Sequence, residues 1–170
     1  VLALGAAAAA ASGDPLGRLA FVQSAVAGRV HWSRDLDTYH ISDYWAQAGE
    51  TLTRGAGDGE DIAVLKMQVL KAAGFATRDI YLSVGRDAQR GEDTKLLVRV
   101  GSQFYQLDDR EAQPQLAQGR QQFVPIFTLG KDSAWIHGSR YSARSGRVVA
   151  ARTYAARTVT ARPARALLVR

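Results

Sequence analysis

From Asp58 to Gly74 apolar residues recur every three to four positions, and from Ile80 onward they recur every two; this change of period constrains the fold of the 170-residue chain more than any other feature. In the first stretch Ile62, Leu65, Val69 and Ala73 fall on one helical face. Asp58 stands at its N-cap position, Glu60 and Asp61 sit in the first turn where the helix dipole favours carboxylates, and Gly74 closes it. In the second stretch Ile80, Leu82 and Val84 alternate with polar residues, as do Leu96, Val98 and Val100, and Gly101-Ser102 can turn the chain into residues 103–107. Residues 123–129 and 133–137 read as two further strands around a Gly130-Lys131-Asp132 turn. Upstream, Asp14-Pro15 starts a helix through Leu16, Leu19, Gln23 and Val26 to Gly28, and a second start at Ser42-Asp43 leads through Tyr44 and Trp45 to a break at Gly55 and Gly57. Helices first and an antiparallel meander second is an α+β pattern.

The chain is 46% hydrophobic and 22% charged, ordinary for one globular domain and too mixed for wholesale disorder. Its ends differ from its middle. Val1 to Ala11 is an unbroken run of Val, Leu, Gly and Ala, too short to span a bilayer and similar to the apolar region and small-residue cleavage site of a secretory leader. The expectation is therefore a truncated signal-peptide remnant over 1–13, a domain over 14–138, and a periplasmic or secreted protein. From Ser139 to Arg170 there are eight arginines (Arg140, Arg144, Arg147, Arg152, Arg157, Arg162, Arg165 and Arg170) and no acid. This stretch is expected to be a mobile Arg/Ala-rich tail over 139–170. The net charge of +6 belongs to it: the remaining 14 basic residues face 16 acidic ones, so the body has a net of −2 and no field that recommends nucleic acid as a ligand. No segment reads as a transmembrane span. The sequence has no cysteine, which excludes disulfides and thiolate metal sites in it.

The most specific pattern is Asp43-Tyr44-Trp45-Ala46, then Glu50-Thr51-Leu52, then Gly55-Ala56-Gly57-Asp58-Gly59-Glu60-Asp61-Ile62-Ala63. In identity and spacing it resembles the bacterial transglutaminase-like cysteine peptidases, the group that includes the periplasmic protease of biofilm adhesins. That family carries Asp-Tyr-Trp, Glu-Thr-Leu and Gly-x-Gly-Asp-Cys-Glu-Asp-Tyr-Ala opening a helix. Val98-Arg99, Leu107-Asp108 and Trp135-Ile136-His137-Gly138 extend the resemblance from about Leu16 to Gly138. It implies a papain-like, transglutaminase-like fold with N-terminal helices packed on an antiparallel sheet. It also implies a triad in which a thiolate at a helix N-terminus is served by a histidine on a facing strand and an orienting acid. Gly59 stands at the cysteine's position. Asp93 falls at the histidine's when residues 96–99 are set against the family's His-Ala-Val-Leu-Val-Val-Arg strand, with Thr94 as the one-residue alternative; Asp108 takes the acid's.

With nucleophile and base replaced, the expectation is that the chain is not an enzyme but a pseudoenzyme, a peptidase homologue kept as a periplasmic module that binds an extended peptide or a regulatory protein. Two alternatives stand beside it: a hydrolase using Asp93 and Asp108 as an acid–base pair, and a binder of anionic surfaces through the arginine-rich tail. The resemblance further implies calcium at Asp58, Glu60 and Asp61, whose hard oxygens suit that ion; helix capping and dipole complementation are the blander roles for the same acids. Tyr44, Trp45 and Trp135 are candidates for a peptide groove, with core packing as the plainer account. His31, His40 and His137 read as structural or surface residues.

Overall fold

The computed structural model describes residues 1–117, 123–142 and 147–156. Five helices precede most of the sheet: α1 (Leu2–Ala11), α2 (Pro15–Ala27), α3 (Asp35–Thr38), α4 (Ala48–Arg54) and α5 (Gly59–Ala72). Two short strands, β1 (His31–Trp32) and β2 (Ala56–Gly57), pair in parallel between them. The antiparallel sheet comprises β3 (Ile80–Asp87), β4 (Gly91–Val100), β5 (Gln103–Gln106), β6 (Gln115–Leu116), β7 (Phe123–Leu129), β8 (Ala134–Ser142) and β9 (Arg147–Ala156). Its order is β6-β5-β4-β3-β7-β8-β9, so the expected α+β architecture holds.

The core forms where the helical stripe meets the strand alternation. Pairing of Ile80 with Val98 and of Leu82 with Leu96 puts four apolar side chains on one face of the sheet. They join Leu65, Val69 and Leu70 of α5 and Leu19, Val22 and Val26 of α2 in one buried cluster. Full burial of each such side chain is worth about 2 kcal/mol. Helix α2 starts as its sequence signals, with the Asp14 carboxylate accepting the Gly17 N–H at 2.9 Å and Pro15 in the first turn.

Three elements carry structure that the sequence did not signal. The Val1–Ala11 run, expected as a leader remnant, forms α1 with Leu4, Gly5 and Ala8 buried. A Cβ on Gly5 would lie 2.3 Å from the Ala72 Cβ, so the absence of a side chain there is what lets α1 lie against α5. Residues 42–47 are not helical: Tyr44 N–H donates to Asp35 and Ala46 N–H donates to Asp61, so that backbone is committed to side-chain acceptors, and α4 begins only at Ala48. Part of the expected mobile tail is sheet, since residues 139–142 continue β8 and 147–156 form β9 antiparallel to it. Val148, Val149, Thr153 and Tyr154 suit a strand by propensity, and pairing to β8 satisfies the backbone. Residues 143–146 and 157–170 of the expected tail lie outside the described residues. Among those described, no helix is long and apolar enough to cross a membrane.

Candidate functional site

The N-terminal end of α5 gathers two groups of charge. The first is a row of three side chains, Asp93, Lys95 and Asp108, all almost fully buried. Alternation along β4 puts Asp93 and Lys95 on the same side of the strand, and Asp93 Oδ2 accepts from Lys95 Nζ at 2.6 Å. The same ammonium lies 2.9 Å from Asp108 Oδ2. The second oxygen of Asp93 accepts the Thr94 N–H at 2.8 Å and faces Gly59: a Cβ there would be 2.1 Å from it. Gly59, Asp93 and Asp108 thus lie together, with Lys95 as a member that the motif did not name. Thr94 contributes its backbone to this arrangement.

The loop holding Asp108 is tied down from the helices. Gln23 of α2, itself fully buried, donates through Nε2 to the carbonyls of Asp108 and Glu111. Lys66 of α5 donates to the Leu107 carbonyl at 3.1 Å, and burial pulls its ammonium down to about 8. Burial alone would raise the Asp108 carboxyl, but the Arg110 guanidinium and amide, then Lys95, outweigh it and hold the group well below the ordinary carboxylate range. Arg110 reaches on to Asp87, whose carboxyl is lowered to about 2 chiefly by that contact. Lys95 stands between Asp93 and Asp108, so the two carboxyls do not face each other directly as the acid–base hydrolase reading supposes.

The second group is acidic. Strand β1 hangs on β2, with His31 N–H to Gly55 O at 3.1 Å and Ser33 N–H to Gly57 O at 2.9 Å, and so carries Asp35 to the start of α5. Asp35, Asp58 and Asp61 then form one cluster and Asp35, Asp43 and Glu60 a second, with donor atoms within 4.8 Å of one another in each. Asp58 occupies the N-cap position but makes no capping hydrogen bond, contrary to the simple capping role. Asp35 Oδ1, Asp58 Oδ1 and Asp61 Oδ2 are buried without a hydrogen-bond partner. Gly57 leaves the room for this, since a Cβ there would come within 2.9 Å of Asp61 Oδ2. Among the ion pairs of the described residues, none compensates these five acids. Burial first, then repulsion from Glu60, pushes Asp58 up to about 8. Burial, partly offset by the Ala46 N–H, takes Asp61 to about 6, and burial also raises Glu60 and Asp35. Orphaned oxygens on Asp35, Asp58 and Asp61, with the Asp43 and Glu60 carboxylates beside them, fit a hard divalent cation such as calcium, which takes about 6–8 oxygen ligands. Asp35 and Asp43 extend the expected set of Asp58, Glu60 and Asp61.

The aromatic candidates separate. Tyr44 and Trp45 are exposed beside the acids, Tyr44 against the Tyr39 ring at 4.6 Å and Trp45 along a cavity of about 550 Å³ with Ala46, Gln47 and Val64. Trp135 instead packs edge-on against Tyr81 at 5.6 Å, in a different cavity of about 390 Å³ with Leu97 and Phe104. The expected three-member groove is thus reduced to Tyr44 and Trp45. Trp32, exposed on β1 under the Arg90 guanidinium at 4.7 Å, is an aromatic that sequence reasoning passed over. His31 and His40 are exposed. His137 Nε2 lies 2.8 Å from Thr128 Oγ1, away from Gly59 in the sheet.

Helices packed on an antiparallel sheet, with the charged row at the N-terminal end of one helix, make this a transglutaminase-like peptidase fold. The chain belongs to the family described as bacterial transglutaminase-like cysteine proteinase, whose model matches residues 5–137. Calcium-bound LapG of Legionella pneumophila is similar with a TM-score of 0.67 and 21% identity, covering 85% of this chain and 82% of that one. Its EGTA-treated form gives 0.66 and 22%, covering 79% and 74%. A putative cysteine protease from Cytophaga hutchinsonii gives 0.50 and 11%, covering 91% and 50%. At these identities the likeness speaks for the fold. No curated protein sequence matches. Family membership corrects the expectation that the chain is not an enzyme: the family is one of cysteine proteinases, and the class of activity it points to is a peptidase.

Proposed function

We propose that this chain is a calcium-binding, polypeptide-recognising member of its peptidase family, working in the periplasm or outside the cell. The observation that carries the reading is the trio of buried, partnerless oxygens on Asp35, Asp58 and Asp61 at the start of α5. Such groups are costly unless paired, and calcium would supply the missing positive charge. Asp35 and Asp61 also hold the backbone of residues 44–46. The same carboxylates would therefore bind the ion and set the exposed rings of Tyr44 and Trp45, which offer rigid contact area to an extended peptide. That calcium accompanies LapG supports the choice of ion.

Thermal melting with and without calcium tests the metal half. At calcium about a hundredfold above its dissociation constant the gain is about 2.7 kcal/mol, a rise of roughly 5–10 °C for a domain of this size. Asp58→Asn and Glu60→Gln are each expected to lose it; a parent indifferent to calcium ends the reading. For the peptide half, fluorescein-labelled peptides from a randomised extended library are titrated in calcium. Trp45→Ala is expected to weaken binding about tenfold or more, and binding untouched by that change would remove the groove. Mass spectrometry of the same mixtures reads the hydrolysis that the family's activity class calls for.

A further inference from the structure

The feature that the reading above leaves unused is the contact between Gly59 and Asp93, the two positions at which the chain departs from its family's triad. We propose that Asp93, clamped by Lys95, determines what position 59 can carry: its carboxylate occupies the seat of a side chain at 59 and is the anion that this site presents at the N-terminal end of α5. The proposal rests on the reading that this cleft is the working site and names the residues that set its chemistry.

Three observations support it. A Cβ at 59 would come 2.1 Å from Asp93 Oδ1, well inside contact distance. A flexible neighbour could step aside, but Asp93 cannot do so without loss: Oδ1 accepts the Thr94 N–H at 2.8 Å, Oδ2 accepts from Lys95 at 2.6 Å, and the side chain is 2% exposed. Lys95 is in turn fixed by Asp108 at 2.9 Å. The result is a minus–plus–minus row, Asp93–Lys95–Asp108. It has the charge order of a thiolate, an imidazolium and an orienting carboxylate, with the first charge moved from the helix onto the facing strand. A helix N-terminus favours an anion, and here the strand provides it.

A sign reversal tests this. Gly59 lies in the first turn of α5 without a positive φ, so alanine there would ordinarily be neutral or helpful. In the parent, Gly59→Ala is expected to lower the melting temperature by roughly 5 °C or more. In an Asp93→Ala background the same change is expected to leave it unchanged or raise it. Gly59→Ala as stable as the parent, or equally harmful in both backgrounds, overturns the proposal.

Because the sequence has no cysteine, a thiol placed at 59 reports the charge that Lys95 lends to this seat once Asp93 is removed. In Gly59→Cys/Asp93→Ala, iodoacetamide at neutral pH is expected to alkylate the thiol about tenfold faster than in the same chain with Lys95→Met as well. Equal rates in the two folded variants would mean that Lys95 puts no charge on this seat, which overturns its part in the proposal. If Gly59→Ala does not fold in the parent background while it folds with Asp93→Ala, the coupling stands. None of these readings needs calcium or peptide, so they can fail while the calcium shift survives, and the reverse.

Discussion

Arg110 contacts two carboxylates at once. Its guanidinium donates to Asp87 Oδ1 at 3.0 Å and to Asp108 Oδ2 at 3.0 Å, and both acids are almost wholly buried. Removing one partner of such an arrangement leaves buried charge behind, so Arg110→Met is expected to cost about 3 kcal/mol at neutral pH. The pH dependence follows from the lowered carboxyls. Asp87 falls from 3.8 to about 2 and Asp108 falls further, so their contribution is fully present above about pH 4 and weakens below it, the Asp87 share being lost as pH drops through about 2 and the Asp108 share only at lower pH. Urea melts of the parent are expected to be flat in this contribution from pH 7 to 4 and to weaken below it. Arg110→Met starts lower, and the gap to the parent is expected to narrow between pH 4 and 2; two parallel curves over that range would refute the account. Sequence nominated Asp108 for this site through a motif, but not its company. Lys95, Arg110 and Asp87 come from three different segments, and nothing in the spacing of any one shows that their side chains meet.

Helix α1 shows how one run of residues supports two readings. Leucine, glycine and alanine in a row suit a secretory leader, and they equally suit a helix that must lie close to another. The deciding contact, Gly5 against Ala72, joins positions far apart in the chain. Gly5→Leu is therefore expected to destabilise by about 2 kcal/mol or more through overpacking, measurable as a lower urea midpoint, and Ala72→Gly in the same chain is expected to recover part of it. A Gly5→Leu variant as stable as the parent would show that α1 does not pack as described. Elements whose signals are local were legible: Asp14-Pro15 does begin α2, and the alternation at Ile80, Leu82, Leu96 and Val98 does make β3 and β4. The stretch around Tyr44 was not, because its backbone hydrogen bonds go to the carboxylates of Asp35 and Asp61 rather than to itself.

At the scale of the molecule, the sheet extends past the part that the family match covers. That match ends at residue 137, within β8, whereas β8 runs to Ser142 and pairs along its length with β9. The candidate site draws on α5, on β3 and β4, and on the loop after β5, all on the other side of β7 from this edge. Ending the chain at Ser142 should therefore separate two properties. The calcium-dependent rise in melting temperature is expected to persist, since Asp35, Asp43, Asp58, Glu60 and Asp61 cluster at the start of α5 whereas β9 pairs with β8. The exposed edge of β8, with Ile136 57% exposed beside it, is expected to pair with other chains, because an unpaired, uncovered strand is a template for association. Light scattering at rising protein concentration should show self-association for the chain ending at Ser142 and much less for one ending at Ala156, which keeps β9. If both stay as dispersed as the parent, β9 does not guard that edge; if the calcium shift disappears with β9, the site depends on the far side of the sheet in a way that these contacts do not provide.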